Sequence, residues 1–240
     1  MNGLRLALGF LTALPVRPPG ALRPGDLGRA AAWFPLVGLT LGSALWAAHH
    51  GLSIGMPREV TAALVVAGWA VLTGGLHLDG LADCCDGLLG PADRERRLAI
   101  MRDPRRGAFG VVGVSLLLLL KFAAVAGIAD GRGLILVPIL GRSATLVVAR
   151  LRPARAEGLG AAMQRELRGW VLGLSLMVSM LGAAWIGGRG AAALILAYLT
   201  AFGVGALARA RLGGQTGDVL GATCELAEAA ALLAFVWRAP

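Results

Sequence analysis

The sequence predicts an all-α integral membrane protein, a polytopic bundle of about seven transmembrane helices with a short interfacial helix at its N-terminus. Two observations lead to this fold class. Hydrophobic residues make up 57% of the 240-residue chain, and they are gathered into long runs that few charges interrupt. A run of about 20 apolar residues crosses the hydrocarbon core of a bilayer, which is about 30 Å thick. We therefore expect residues 1–240 to form a single membrane-embedded domain in contact with the lipid bilayer.

The elements follow from these runs in order. The segment Gly3–Val16 is too short to cross a bilayer and carries Arg5, so we predict an interfacial or half-inserted helix rather than a signal peptide. The predicted spans cover about residues 30–54, 59–78, 108–129, 133–149, 170–187, 189–208 and 218–237. Two longer polar connections separate them, at about 79–107 and 150–169.

The net charge of +9 is explained by membrane topology, and nucleic acid is not expected as a partner. Lys and Arg concentrate in the cytoplasmic loops of membrane proteins. With the N-terminus inside, most of the 23 Lys and Arg residues fall in cytoplasmic segments, and those in outer segments are Arg58, Arg132, Arg189 and Arg238. The N-terminus and both long connections are thus predicted on the cytoplasmic side.

Three carboxylates stand close together after the second predicted span. Asp79, Asp83 and Asp86 are spaced i, i+4, i+7, so on a helix they share one face within about 60°. Like charges at a membrane border are costly unless a cation neutralises them, and Mg²⁺ prefers hard oxygen ligands. The alternative is a solvated acidic helix end. His77, two residues before Asp79, should point to the opposite face, and we do not expect it to be a ligand.

The last predicted span also carries acidic residues. Asp218 and Glu225 share a face, and Glu225 lies about 10 Å deeper along the helix; Glu228 is one turn further in. A carboxylate at such depth is paired, metal-bound or facing water. Thr216 stands in a glycine-rich approach to this helix, where backbone N–H groups suit phosphate. A simple loop turn would explain the glycines but not the two glutamates.

Basic residues fall into two groups. Arg102 and Arg105, with Asp103 between them, and Arg155 in the next connection suit contacts with phosphate oxygens, although cytoplasmic positive charge alone is an alternative. Arg142 and Lys121 lie within predicted spans. For Arg142 a salt bridge and a substrate-phosphate contact stay open, whereas for Lys121 snorkelling or a structural ion pair is expected rather than catalysis.

Together these features suggest metal-assisted phosphoryl-group transfer. Cations held by carboxylates can clamp a diphosphate and stabilise a leaving phosphate. A carboxylate that is not a metal ligand can act as general base.

Four segments resemble the adenosylcobinamide-GDP ribazoletransferase, or cobalamin synthase, family. The order and spacing agree over nearly the whole chain, with a further similarity at Arg155–Gly160; the segments are Phe10–Val16, Asp79–Gly87, Met101–Gly110 and Thr216–Leu226. The resemblance implies a multi-pass enzyme of the bacterial inner membrane that completes vitamin B12 assembly. It would join α-ribazole, or its 5′-phosphate, to adenosylcobinamide-GDP, release GMP and require Mg²⁺.

The matching motifs and the chemistry above give the expected site. Metal ligands are predicted at Asp79, Asp83 and Asp86. Catalytic candidates are Asp83, Asp86, Asp218 and Glu225. Substrate-binding candidates are Arg102, Asp103, Arg105, Arg142, Arg155 and Thr216. Pro104 and Pro91 depart from the family pattern, and Pro104 makes a direct catalytic role at that position doubtful because proline lacks an N–H donor. The sequence leaves the oligomeric state open, so an oligomer is compatible with it.

Two other functions are weighed against this one. The Asp83-x-x-Asp86-Gly87 core is also similar to the CDP-alcohol phosphotransferases, whose fuller pattern does not continue here, since Gly87 is followed by Leu88-Leu89-Gly90-Pro91. A membrane transporter is a second alternative. Transporters tend to hold their ion sites near the bilayer midplane, whereas the densest acidic cluster here is expected at the cytoplasmic rim.

Overall fold

The computed structural model describes residues 2–16, 23–105, 107–129 and 131–237, and in these ranges it is all-α, as predicted. The helices in the described ranges are α1 (Asn2–Leu11), α2 (Asp26–Ala31), α3 (Phe34–Leu52), α4 (Arg58–Leu72), α5 (Leu76–Leu89), α6 (Arg94–Ile100), α7 (Ala108–Gly127), α8 (Gly133–Ala149), α9 (Leu159–Glu166), α10 (Gly169–Ile186), α11 (Gly188–Leu212) and α12 (Gly217–Val236).

Some of these helices are long and apolar enough to span a membrane. By length and composition, α7, α10, α11 and α12 can each cross a membrane, and α4 with α5 would make a fifth span if the bent pair is counted as one. The predicted count of seven is therefore not confirmed. The His49–His50 pair lowers the hydropathy of α3, and α8 has only 17 residues.

The second predicted span, 59–78, is broken. α4 ends at Leu72, and α5 leaves it at an angle of 90°. The break is made by Gly74 and Gly75, whose φ angles of +62° and +66° lie in the left-handed region that glycine adopts without strain. As a result Asp79, Asp83 and Asp86 lie on a helix of their own, and the predicted 79–107 connection is largely helical, through α5 and α6.

α12 is the central helix of the bundle. It packs against α5, α7, α8 and α11. Of its apolar 18-residue stretch, 78% is buried, whereas 28% or less is buried in the corresponding stretches of α7, α10 and α11. Those three helices expose rows of large apolar side chains, among them Leu119, Leu181 and Leu199. Such rows suit contact with lipid tails rather than with water.

Glycine allows a close contact between α3 and α8. A Cβ atom at Gly38 would lie 2.6 Å from the carbonyl oxygen of Pro138, and one at Gly42 would lie 2.7 Å from that of Leu134. Small residues let helix backbones approach in this way within membranes. The contact between α3 and α8 therefore depends on Gly38 and Gly42.

The substitution Gly42→Ala is expected to destabilise the bundle by about 1–3 kcal/mol, because the added methyl group meets backbone atoms of α8 that cannot move aside. Thermal unfolding in detergent measures the effect. Gly51→Ala, in the same helix with nothing within 4 Å of the added atom, is the matched control and should be neutral or slightly stabilising. Equal melting temperatures for the two variants would contradict this packing.

Candidate active site

A cavity of about 240 Å³ lies where α5 and α8 meet the N-terminus of α12. It brings together several of the predicted site residues, namely Asp79, Arg142, Arg155, Thr216 and Asp218. Its walls also include apolar side chains from α1, α3, α8 and α9, namely Phe10, Leu11, Phe34, Leu146 and Met163. The cavity therefore has a charged part and an apolar part.

Close packing of α5 on α12 positions the acidic residues. A Cβ atom at Gly80 would lie 2.8 Å from the carbonyl oxygen of Asp218, and one at Gly221 would lie 3.3 Å from the Cα atom of His77. Only glycine at position 80 permits this approach of the two backbones. Asp79, the neighbour of Gly80, is thereby held at the same cavity as Asp218.

The N-terminus of α12 is built by Thr216 and by a tie to the preceding connection. The Thr216 hydroxyl oxygen accepts the backbone N–H of Val219 at 3.3 Å and donates to Asp218 Oδ2 at 3.2 Å. The backbone N–H of Gln215 donates to Arg152, and that of Ala154 donates to Gln215. These bonds fix the segment that carries Arg155 beside the start of α12.

Arg155 lies among the charges at the cavity mouth. Its Nη1 is 3.7 Å from Asp218 Oδ2, and its Nη2 donates to the carbonyl oxygen of Leu98 at 3.0 Å. Partial burial lowers the pKa of Arg155, and Arg102 lowers it further, while Asp218 and Asp83 oppose this shift. Asp83 and Arg102 thus lie within electrostatic range of Arg155, although neither of them lines the cavity.

Asp86, the third predicted metal ligand, contacts the start of α7. Its Oδ2 accepts the backbone N–H of Gly107 and its Oδ1 accepts that of Gly110, both at 2.8 Å. A carboxylate at this place satisfies N–H groups at the start of α7 and suits the positive end of its dipole. Asp86 therefore joins α5 to the Met101–Gly110 segment, and it does not line the cavity.

No cluster of three or more His, Cys, Asp or Glu side chains in the described ranges is close enough to hold a metal ion. Asp79, Asp83 and Asp86 share a helix, as predicted, but do not by themselves converge on one metal position.

Asp103 and Arg105 pair with each other on the connection between α6 and α7. Arg105 Nη2 lies 2.7 Å from Asp103 Oδ2, and the Arg105 side chain is 87% exposed. Hydrogen bonds from Arg105 lower the pKa of Asp103 to about 2. Both residues lie outside the cavity, so any contact that they make with a substrate is at the surface.

Glu225 belongs to a buried charge network behind the cavity. Lys121 Nζ lies 2.6 Å from Glu225 Oε2 and 2.6 Å from Glu228 Oε2, and Arg142 Nη1 donates to Glu228 Oε1. All four side chains are at most 3% exposed. Lys121 also lies 4.1 Å from the centre of the Trp69 ring.

The contacts in this network distinguish between the roles expected for Lys121, Arg142 and Glu225. Lys121 is a structural ion pair and does not snorkel, because it is buried between two carboxylates. Arg142 forms a salt bridge and also lines the cavity, so its ion pair leaves it able to contact a ligand. Glu225, predicted as catalytic, lies outside the cavity lining.

The sequence did not reveal His77, Glu157 or Gln215 as cavity residues, although all three line it. The helix-face argument places His77 opposite Asp79, but the cavity reaches around the first turn of α5 and contacts both. A signal for His77 would have been the Gly74-Gly75 pair, which begins a new helix just before it.

The substitution Asp86→Ala is expected to destabilise the protein more than Asp93→Ala does. Asp86 accepts two N–H groups between helices, whereas Asp93 is an ordinary exposed cap that accepts the N–H of Arg96. We expect Asp93→Ala to lower the free energy of unfolding by no more than about 2 kcal/mol. Asp86→Ala should lower it by more, because two N–H groups lose their acceptor. Unfolding in detergent tests this; an equal or smaller effect at Asp86 would refute the bridging role.

The chain is similar to known proteins over nearly its whole length. The family model described as "Cobalamin-5-phosphate synthase" matches residues 3–236. A protein of Pseudomonas fluorescens (strain SBW25), named adenosylcobinamide-GDP ribazoletransferase, is 45% identical over 95% of this chain and 96% of its own. A protein of the same name from Ectopseudomonas mendocina is 48% identical over 96% of each chain. No solved structure matches the chain.

Proposed function

Since the chain belongs to the cobalamin-5-phosphate synthase family, we propose that it transfers the adenosylcobinamide-phosphate group of adenosylcobinamide-GDP to α-ribazole or its 5′-phosphate. GMP is released, and the product is adenosylcobalamin or its 5′-phosphate, in the last assembly step of vitamin B12 synthesis. The main structural support is the meeting of Asp79, Asp218 and Arg155 at the mouth of one cavity. Carboxylates and an arginine in one place suit a diphosphate substrate.

The reaction has simple requirements of the protein. A ribazole hydroxyl oxygen forms a bond to the phosphorus next to the cobinamide arm, the bond from that phosphorus to the GMP oxygen breaks, and the hydroxyl proton leaves. Arg155 and Arg102 are placed to offset the charge of the diphosphate. Asp218 is the candidate to accept the proton, because it lines the cavity and lies 3.7 Å from Arg155.

The carboxylates of the candidate site suit a Mg²⁺ ion whose remaining ligands come from the substrate. Mg²⁺ is usually held by one or two protein carboxylates together with substrate phosphates and water, and Asp79 and Asp83 lie four residues apart on α5. We propose Asp79 and Asp83 as the protein ligands, while Asp86, which accepts the N–H groups of Gly107 and Gly110, supports the same helix from the start of α7. When bound, Mg²⁺ would neutralise the diphosphate and stabilise the leaving phosphate.

Other predicted residues receive supporting parts in this proposal. Glu225 acts on the reaction through the position of Arg142, since it holds Lys121 in the same network. Thr216 orients Asp218 and the backbone at the start of α12. Asp103 and Arg105 contact the exposed part of a bound nucleotide from the surface.

We further propose that the protein forms one domain in the bacterial inner membrane, with its N-terminus and active site on the cytoplasmic side. The distribution of basic residues and the bacterial relatives support this placement. The family membership favours neither a CDP-alcohol phosphotransferase nor a transporter.

The decisive assay follows GMP release from adenosylcobinamide-GDP by detergent-purified protein, with and without α-ribazole phosphate, in Mg²⁺ and in EDTA. We expect release that needs both substrates and Mg²⁺. Asp83→Asn should lower it by about a hundredfold or more, since it removes charge from the site. Asp93→Asn, at the surface cap of α6, is the control and should be active. Release without α-ribazole phosphate, or an active Asp83→Asn, would contradict the assignment.

A further inference from the structure

The cavity is small and part of its wall is apolar. Its volume of about 240 Å³ lies below the range of about 300–1,000 Å³ that is usual for small-molecule sites. A corrin ring with its side chains cannot enter such a space, whereas a bicyclic aromatic base can. The rings of Phe10 and Phe34 stand near-parallel in its wall, with centroids 6.2 Å apart, and aromatic walls suit a flat apolar ligand.

Buried polar groups without partners are concentrated at this cavity. Arg142 Nε and Nη2 and His77 Nδ1 are buried and have no hydrogen-bond partner among the described residues, and both residues line the cavity. The two side chains are 1% and 6% exposed. A buried donor left unpaired costs about 1–3 kcal/mol, so several of them at one cavity indicate a ligand that completes them.

The local charge argues for a neutral ligand at this depth. Arg142 and Lys121 contribute two positive charges, and Glu225 and Glu228 contribute two negative ones, so the network is already balanced. A phosphate beside Arg142 would add uncompensated negative charge in a medium of low dielectric constant. A neutral acceptor atom takes the free Arg142 N–H groups without this cost.

We propose that the cavity binds the benzimidazole base of ribazole, with Arg142 donating a hydrogen bond to the ring nitrogen that carries no sugar. This rests on the proposed function and names the part of the site that takes the acceptor substrate. Leu146 and Met163 contact the faces and edges of the base. The ribose then points toward the mouth, where Asp79, Asp218 and Arg155 lie, and any phosphate stays outside.

Calorimetric binding of α-ribazole without its phosphate, in the absence of the corrinoid, tests the proposal on the full chain in detergent. Leu146→Trp fills the cavity, and the matched control is Leu119→Trp, on the lipid-facing side of α7, where leucine is 61% exposed. We expect Leu146→Trp to weaken α-ribazole binding by about tenfold or more, which is about 1.4 kcal/mol, with adenosylcobinamide-GDP binding unchanged. Ala149→Val, a smaller change in the same wall, carries the test if Leu146→Trp does not fold.

Competition with inorganic phosphate tests whether the cavity binds the base or a phosphate group. Inorganic phosphate should not displace α-ribazole, and Arg142→Lys should weaken α-ribazole binding because one ammonium group replaces the fork that contacts both Glu228 and the base. Displacement by phosphate, or loss of adenosylcobinamide-GDP binding instead in Leu146→Trp, would overturn the proposal. Wild-type protein that releases no GMP would overturn the proposed function itself, whereas GMP release with unaltered α-ribazole binding in Leu146→Trp would overturn this inference alone.

Discussion

The structure depends on four charges buried inside a membrane bundle. Lys121 on α7 and Arg142 on α8 meet Glu225 and Glu228 on α12, and each charge has an opposite charge in contact. Away from water, an unpaired charge is far more costly than a pair. The three helices must therefore keep one register, in which every member of the network finds its partner.

The same helix register also fixes the positions of the candidate site residues. Asp218 stands two turns before Glu225 on the same helix, so fixing Glu225 inside the bundle also fixes Asp218 at the cavity mouth. The same network holds Arg142 with one nitrogen on Glu228 and two others free beside the cavity. α5 then completes the site, because the Gly74–Gly75 break lets it turn and press Gly80 against the start of α12. The stability of the bundle and the geometry of the candidate site are thus linked through α12.

The sequence predicted the all-α membrane class, the family and the deep position of Glu225, because apolar runs, motifs and helical spacing are local properties. It could not supply the partner of each charge: Lys121 and Glu225 lie 104 residues apart, and only packing brings them together. The break between α4 and α5 lay inside an apolar run that is equally compatible with a straight span. The capping contact of Asp86 depends on where α7 begins, and this is likewise set by tertiary structure.

The most direct test of this account is the coupling between Lys121 and Glu225, measured as free energies of unfolding for Lys121→Met, Glu225→Gln and the double variant. We expect Lys121→Met to cost about 3–5 kcal/mol, because it leaves buried carboxylates unpaired. The double variant should lose at least about 1 kcal/mol less than the sum of the single losses, since Glu228 and Arg142 then remain as a neutral pair. The exposed Asp103–Arg105 pair is the control and should couple by at most about 1 kcal/mol. Additive losses at Lys121 and Glu225, with no larger coupling than at the exposed pair, would contradict the account.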